Sequence, residues 1–333
     1  MKTMVRNVTY RQWEENEKGD GYITFFSPTY NRSAFLPRIY NCLLSQTDRH
    51  FVWILVNDGS TDNTEAIAAD LVQREEIPIL YISKPNGGKH SAFETALNQC
   101  KTEFFQCMDD DDIYSPDSVE VFLREWKTIT EEGKYEEIGA VRVLAEDNGK
   151  IVAKKTFEPS EMEQRIDKTT LESNYVLHEY MENWTNYRTD ALRSVNLFPH
   201  DYWLADQHKF YNECLWQGRF ARKYKCRYYY HVLREYRHDA SESLSSGKHD
   251  RQHYLDMFIN EKLFLDELND FFLYSPVKFI ESLLIVSILR CKLHFPFNRL
   301  LKETSSKWIR FFYVIFAPIG YLYPELHLCE HSR

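Results

Sequence analysis

The chain has 333 residues, of which 27% are charged, 43% hydrophobic and 15% aromatic, and this composition excludes a disordered protein. The net charge is -9, and residues 277–323 hold seven basic against two acidic residues, so the remainder is strongly acidic. An acidic body argues against nucleic acid as a partner. Seven cysteines without a Cys-x-x-Cys pair indicate a reducing compartment.

The ends of the chain bear on its location. Residues 1–20 are polar and mixed in charge, which predicts no signal peptide and a cytoplasmic site. No apolar run is long enough for a transmembrane helix, since 282–289 is short and 311–323 contains Pro318. For the segment of apolar runs and basic residues near the carboxyl terminus, two alternatives stay open. It is either a helical subdomain packed on the core or a peripheral attachment to the inner face of the cell membrane.

Strand and helix patterns alternate through the first half of the chain. Apolar runs predict strands at 22–27, 51–56, 79–83 and 104–108. Helical patterns predict one helix at 36–46, a second that ends at about residue 74, and a third at 91–100. Repeated strand and helix units of this length predict an α/β protein with a doubly wound, mostly parallel sheet.

Four carboxylates, Asp109 to Asp112, directly follow the fourth predicted strand. They therefore lie at a carboxyl strand end, where open α/β sheets bind ligands. Adjacent like charges repel, so the run indicates either a metal and phosphate site or a solvated acidic turn. Ile113 and Tyr114 exclude a calcium-binding loop. An aspartyl phosphotransferase is disfavoured because its acids should follow the first strand.

Polar loops also follow the other three predicted strands, at 29–32, 58–60 and 86–89. Together with the acids they predict a nucleotide pocket. Neither Gly-x-Gly-x-x-Gly nor a P-loop is present, so the phosphate charge would be met by a metal ion on the aspartates and by Lys89.

Four motifs in order carry a family resemblance. They read Ser27-Pro28-Thr29-Tyr30-Asn31-Arg32, Val56-Asn57-Asp58-Gly59-Ser60-Thr61-Asp62, Pro85-Asn86-Gly87-Gly88-Lys89, and Met108-Asp109-Asp110-Asp111-Asp112 with Pro116. The chain resembles family 2 glycosyltransferases with the GT-A fold, of the bacterial surface-polysaccharide type. The resemblance implies an inverting enzyme that transfers a sugar from a nucleotide diphosphate sugar, with a UDP-sugar as the expected donor.

The resemblance also assigns roles. Thr29 and Asp58 would contact the base and ribose, Lys89 the nucleotide, and Asp111 with Asp109 a Mg²⁺ or Mn²⁺ ion. The full predicted set for the nucleotide sugar is Thr29, Tyr30, Asp58, Asn86, Lys89, Asp109 and Asp110.

The second half of the chain is similar to the acceptor half of bacterial members of the family. Their catalytic base lies in a Glu-Asp or x-Glu motif, and here Asn212-Glu213 stands in its place. The base stays open between Glu213 and Asp206, with Leu215 and Trp216 favouring Glu213, and the alternative is that Glu213 is an ordinary surface acid. Gln-x-x-Arg-Trp is absent, which predicts that the enzyme is not a processive polymer synthase.

From these observations we predict an N-terminal extension (1–20), a nucleotide-sugar-binding half (21–130), an acceptor-binding half (131–250) and a C-terminal helical or peripheral membrane segment (251–333). The expected acceptor is a saccharide or a polyprenyl-linked saccharide in cell-surface polysaccharide assembly. The alternative function is a catalytically inactive, membrane-associated interaction protein on the same fold.

Overall fold

A computed structural model describes residues 3–6, 21–236 and 250–322. The chain divides into two compact units, one formed by Met1–Asn196 with Arg219–Ser241 and the other by Leu197–Gly218 with Glu242–Arg333. Most of the predicted extension 1–20 lies outside the described residues, as do 237–249 of the predicted acceptor half and the end of the carboxyl-terminal segment. The four predicted functional segments stay predictions.

The first unit is an α/β structure built around one sheet. Its strands are β1 (Thr3–Arg6), β2 (Ile23–Thr29), β3 (Phe51–Asn57), β4 (Ile79–Ser83), β5 (Phe104–Cys107), β6 (Ile113–Tyr114), β7 (Ile138–Asp147), β8 (Lys150–Ile151), β9 (Arg165–Lys168), β10 (Asn183–Arg188) and β11 (Lys225–Glu235). Its helices are α1 (Leu36–Leu44), α2 (Thr64–Gln73), α3 (Lys89–Gln99), α4 (Ser118–Glu131) and α5 (Thr189–Arg193). The strands and helices predicted up to residue 108 are all present, with ends shifted by a few residues.

The strands are ordered β1-β4-β3-β2-β5-β10-β7-β11-β6. Strands β4, β3, β2 and β5 are parallel neighbours, and β7 pairs in parallel with β11. Strand β10 runs antiparallel between β5 and β7. The predicted mostly parallel α/β sheet is confirmed, and the antiparallel β10 joins its two parallel parts.

Both faces of the parallel strands are buried, because successive side chains of a strand point to opposite faces. On one face, Phe25 and Trp53 belong to a core cluster with residues of α1, α2 and α4. On the other face, Phe26 and Phe105 contact Phe93 of α3, with ring centroids 5.7 and 5.1 Å apart. Helices cover the sheet on both sides, so the predicted doubly wound arrangement is confirmed.

The strand order fixes where a ligand can bind. From β2 the chain proceeds outward to β3 and β4, then returns to β5 on the other side of β2. This reversal leaves a crevice outside the carboxyl ends of β2 and β5, which is where open α/β sheets bind ligands. The loop after β2 and the acids after β5 border that crevice.

The second unit is helical in its described part. Helix α6 (Glu213–Ala221) begins there, followed by α7 (Arg251–Glu267), α8 (Pro276–Lys292), α9 (Phe297–Lys302) and α10 (Lys307–Leu322). Helix α10 packs so closely on α8 that a Cβ at Gly320 would lie 2.2 Å from the carbonyl oxygen of Ser287. Among the described helices, none has the length and apolar content needed to cross a bilayer.

Helix α10 buries one face and exposes another that is also apolar. Ile309 and Tyr313 are fully buried, whereas Phe311, Val314 and Ile315 are 51–62% exposed. The predicted helical character of the carboxyl-terminal segment is confirmed, and its attachment to a membrane stays a prediction.

Candidate active site

The four acids after β5 alternate in burial. Asp110 and Asp112 are 5% and 0% exposed, so they point into the protein. The side chains of Asp109 and Asp111 are 35% and 27% exposed and lie at the carboxyl strand end. The run is therefore not a uniformly solvated acidic turn. It presents two carboxylates outward in an Asp-x-Asp pattern.

Each of these acids contacts a cationic side chain. Lys89, the first residue of α3, lies 2.9 Å from Asp109, and Arg234 of β11 lies 2.6 Å from Asp112. The guanidinium of Arg32 contacts both Asp110 and Asp111. The repulsion expected from the sequence is thus offset by three cations from three different elements.

The environment shifts the pKa of two of these acids in opposite directions. Burial alone would raise the pKa of Asp109, but Lys89, Arg234 and Arg32 lower it below its ordinary value. Burial raises the pKa of Asp110 to about 7 despite Arg32, and the charges of Asp111 and Asp109 add to the rise. Negative charge is therefore favoured on Asp109 and opposed by burial on Asp110.

The loop after β2 is held by the loop after β3. Asn31 has a φ of +54°, in the left-handed region. Its backbone N–H donates to Ser60 Oγ at 2.9 Å, and its side-chain oxygen accepts from the N–H of Thr61 at 2.7 Å. Of the two predicted contacts in this loop, Tyr30 is 48% exposed, whereas Thr29 is 2% exposed and its hydroxyl has no hydrogen-bond partner. Of these two predicted contacts, Tyr30 is thus the one whose side chain is exposed.

Asp58 organises the loop that precedes α3. Its carboxylate, which is 5% exposed, accepts hydrogen bonds from the ammonium of Lys84 and from the N–H groups of Gly87 and Gly88. The bond from Gly88 is 2.7 Å long. Asn86, which is exposed, donates its side-chain amide to the carbonyl of Asp58 at 2.9 Å. The predicted residues Asp58 and Asn86 are therefore in contact. Through this loop Asp58 also positions the first turn of α3, where Lys89 lies.

Asp109 and Asp111 fit a metal site in which the ion also binds substrate phosphates. In the part of the chain that is described, no group of three or more His, Cys, Asp or Glu residues is arranged to hold an ion. The side chains of Asp109 and Asp111 are nevertheless partly exposed, and a buried oxygen of Asp110 has no hydrogen-bond partner. Mg²⁺ is commonly bound by one or two carboxylates that act with substrate phosphates and water. Asp109 and Asp111 fit an ion that is bound in this way.

The two candidate bases lie in the second unit. Asp206 is an exposed residue in a short turn at Ala205–Gln207, and Glu213 is an exposed residue at the start of α6. The segment between them is anchored on α7, because the N–H of Lys209 donates to Asp256 at 2.8 Å and the N–H of Asn212 to Asn260 at 3.0 Å. Burial raises the pKa of Asp256. Both candidates thus border a segment that buried polar groups of α7 hold in place.

Three cationic residues of this region were not predicted as site residues. Arg32 lies in the first motif and Lys84 directly precedes the third, so their positions in the sequence could have indicated a place in the site. Arg234 gave none, since it lies 122 residues from its partner Asp112.

Parts of this chain are similar in sequence or fold to known proteins. The sequence profile described as "Glycosyl transferase family 2" matches residues 24–186. An uncharacterised glycosyltransferase of Rickettsia typhi is 34% identical over 98 residues, which are 29% of this chain and 30% of that protein. The chondroitin synthase of Pasteurella multocida is 34% identical over 104 residues, which are 31% of this chain and 11% of the synthase. The matched segment is thus less than a third of these relatives' length.

One solved structure has a similar fold over most of both chains. It is S. aureus TarS in complex with UDP-GlcNAc, with a TM-score of 0.58, 18% identity and 91% coverage of each chain. At that identity the likeness concerns the fold alone. The predicted family, enzyme class and GT-A fold are confirmed: residues 24–186 form a glycosyltransferase family 2 domain.

Proposed function

We propose that the protein is an inverting, metal-dependent glycosyltransferase that moves a sugar from a UDP-sugar to a hydroxyl group of a saccharide or lipid-linked saccharide. The observation that carries this proposal is the outward Asp109 and Asp111 pair at the carboxyl end of β5, which is the parallel neighbour of the strand that precedes the exposed Tyr30. UDP is the nucleotide we choose because TarS, which shares the fold, was crystallised with UDP-GlcNAc.

In the donor half of the reaction, positive charge must stabilise the nucleotide diphosphate that leaves. When bound, a divalent ion neutralises the charge that develops on the nucleotide diphosphate as the glycosidic bond breaks. Asp111 and Asp109 are the residues that would hold it, and Mg²⁺ or Mn²⁺ suits oxygen ligands. Lys89, whose side chain is 28% exposed, supplies a further positive charge for a phosphate. Tyr30 offers a ring surface for stacking with the base.

The acceptor half needs a general base. Inversion requires an in-line attack by the acceptor hydroxyl on the anomeric carbon, and a carboxylate must remove the hydroxyl proton. We assign this step to Glu213, with Asp206 as the other candidate. The anchoring of residues 209–212 on α7 supports the assignment, because a base must be held in one position to act.

We also propose that the reaction takes place at the cytoplasmic face of the cell membrane and serves cell-surface polysaccharide assembly. The exposed apolar face of α10 supports this location, because an apolar stripe on a surface helix suits insertion between lipid headgroups. A lipid-linked saccharide would then be presented at the same surface.

The proposal is tested by hydrolysis of the donor, which needs no acceptor. The full chain is incubated with UDP-glucose, UDP-galactose, UDP-GlcNAc and UDP-GalNAc in Mn²⁺ or Mg²⁺, and UDP release is measured. Proton NMR of the freed sugar, recorded before mutarotation, reads the anomeric configuration. We expect metal-dependent UDP release from at least one donor, with a β-sugar as the first product of an α-linked donor.

The control separates the site from general effects of charge. Asp111→Asn is expected to abolish UDP release, whereas Asp70→Asn, at an exposed side chain of α2, is expected to leave it unchanged. UDP release that is equal in EDTA and in Mn²⁺ would contradict metal dependence, and an α-sugar as the first product would contradict inversion. If none of the four donors is turned over, the proposal of a UDP-sugar donor is wrong.

A further inference from the structure

Arg32 has an unusual position in the candidate active site. Its Nε atom lies 2.7 Å from Oδ1 of Asp110, and its NH2 group lies 2.8 Å from Oδ2 of Asp111. One guanidinium therefore bridges a buried acid and the acid that we assign as the main metal ligand. A carboxylate oxygen of Asp111 is thereby occupied before any donor binds.

The guanidinium is held in that position from several sides. Its central carbon lies 4.5 Å from the ring centroid of Phe35, within the range of a cation–π contact. The preceding residue, Asn31, is fixed in its left-handed conformation by Ser60 and Thr61. The side chain of Arg32 is 20% exposed, so little of it is free to move into solvent. Arg32 is therefore a pre-positioned cation.

A cation at this position opposes the binding of a second one. A divalent ion bound to Asp111 would lie close to the guanidinium, and like charges at short separation repel each other. The repulsion falls when a nucleotide diphosphate brings its negative charges. A guanidinium also pairs well with phosphate oxygens, so Arg32 has a new partner once the donor is present.

We propose that Arg32 is an internal counter-cation that couples metal binding to donor binding. In the donor-free chain it holds Asp110 and Asp111 and keeps the affinity for a divalent ion low. The nucleotide diphosphate and the ion then bind together, and the guanidinium transfers from Asp111 to a phosphate. The inference rests on the proposed function, because it takes Asp111 as a metal ligand.

The test measures binding of Mn²⁺ itself, with UDP as the nucleotide. The full chain is titrated with Mn²⁺, and free Mn²⁺ is followed by electron paramagnetic resonance, with and without saturating UDP. We expect the wild-type protein to bind Mn²⁺ at least about tenfold more tightly with UDP than without it. In Arg32→Gln the affinity without UDP should rise by at least about tenfold, so that UDP adds less.

Arg38 offers a matched control. Its guanidinium also lies against the Phe35 ring, at 5.4 Å, but it donates to the backbone carbonyl of Asp111 at 2.8 Å and not to the carboxylate. Arg38→Gln removes the same charge from the same neighbourhood, and we expect Mn²⁺ affinity without UDP to stay within about twofold of the wild-type value.

Each outcome separates the inference from the function on which it rests. If the wild-type protein binds Mn²⁺ only with UDP and Arg32→Gln does not gain affinity for Mn²⁺ alone, the counter-cation role is wrong and the metal site stands. If the wild-type protein fails to bind Mn²⁺ even with UDP, metal dependence fails and the inference falls with it. An equal gain in Arg38→Gln would also overturn the role, since it would be an effect of net charge.

A second variant covers the case in which Arg32→Gln does not fold. Arg32→Lys keeps the charge but cannot bridge both carboxylates, so its Mn²⁺ affinity without UDP should lie between the other two proteins. Far-ultraviolet circular dichroism verifies the fold of each variant. If Arg32→Lys binds Mn²⁺ alone no more tightly than the wild-type protein does, the bridging contact does not control metal binding.

Discussion

Replacing Asp58 by asparagine is expected to destabilise the first unit as well as weaken nucleotide binding. The carboxylate accepts hydrogen bonds from Lys84, Asn86, Gly87 and Gly88 and is 5% exposed. An asparagine side chain has one acceptor oxygen and directs an NH2 group toward these donors. The substitution therefore leaves a cation and an N–H group without their acceptor.

The magnitude follows from the burial of the pair. Removing one partner of a buried ion pair commonly costs about 3–5 kcal/mol. Lys84 is 12% exposed and also donates to the carbonyl of Pro85 at 2.8 Å, so it keeps part of its solvation and one partner. We therefore expect the lower end of the range, a loss of about 3 kcal/mol in the free energy of unfolding for Asp58→Asn.

The assay is urea unfolding followed by tryptophan fluorescence, because Trp53 on β3 is fully buried in the same unit. Asp70→Asn is the matched control. It breaks an aspartate–arginine pair on α2 whose side chains are 62% and 49% exposed, and water and salt screen such a pair so that it contributes little to stability. If Asp58→Asn unfolds at the wild-type urea concentration, Asp58 does not organise the loop, and its role is confined to the nucleotide.

Three further predictions concern the base, acid stability and the membrane. Glu213→Gln should lower kcat by about 10²–10⁴-fold with little change in donor affinity, because a general base acts mainly on the chemical step. Partial burial raises the pKa of Asp62, but hydrogen bonds from Thr64 and Ser33 lower it to about 2. The stability advantage of the wild-type protein over Asp62→Asn should therefore be complete above about pH 4 and be lost as the pH falls toward 2. Replacing both Phe311 and Ile315 by glutamate in one variant should reduce sedimentation of the full chain with anionic liposomes.

Each of these predictions has its own control. Asp206→Asn tests the base: if it shows the kcat phenotype while Glu213→Gln stays active, the base is Asp206. A stability difference at Asp62 that is the same at pH 2 and pH 6 would contradict the hydrogen-bonding account. Leu177→Glu, at an equally exposed apolar residue of the first unit, should leave liposome binding unchanged. Failure of the full-length protein to sediment with either neutral or anionic liposomes would show that α10 does not attach to a membrane.

The sequence predicted the parallel part of the fold because its signals are local. The continuous apolar run at 51–56 and the polar turns after each strand identify β2 to β5, and the order of these strands brings their loops to one edge. Strand β10 could not be read in the same way. Its place in the sheet depends on pairing Arg188 with Phe104 and Asn186 with Gln106, across some 80 residues of chain.

The site was predictable in its residue types but not in its contacts. The sequence placed the four acids after a strand end, yet which of them face outward depends on the turn between β5 and β6 and on partners from distant segments. Arg234 reaches Asp112 from β11, and Arg32 reaches Asp110 from the loop after β2. Likewise, the sequence assigned Asp58 to the nucleotide, whereas its burial and its contact with Lys84 become visible only in the folded chain.

The central claim is that a nucleotide diphosphate and a divalent ion bind together at the edge that carries Asp109 and Asp111. It is tested most directly by calorimetric titration of UDP into the full chain in Mn²⁺, in EDTA, and in Mn²⁺ with Asp111→Asn. We predict that UDP affinity falls by at least about tenfold in EDTA and by a similar factor in the variant. UDP affinity that is the same under all three conditions would contradict the claim.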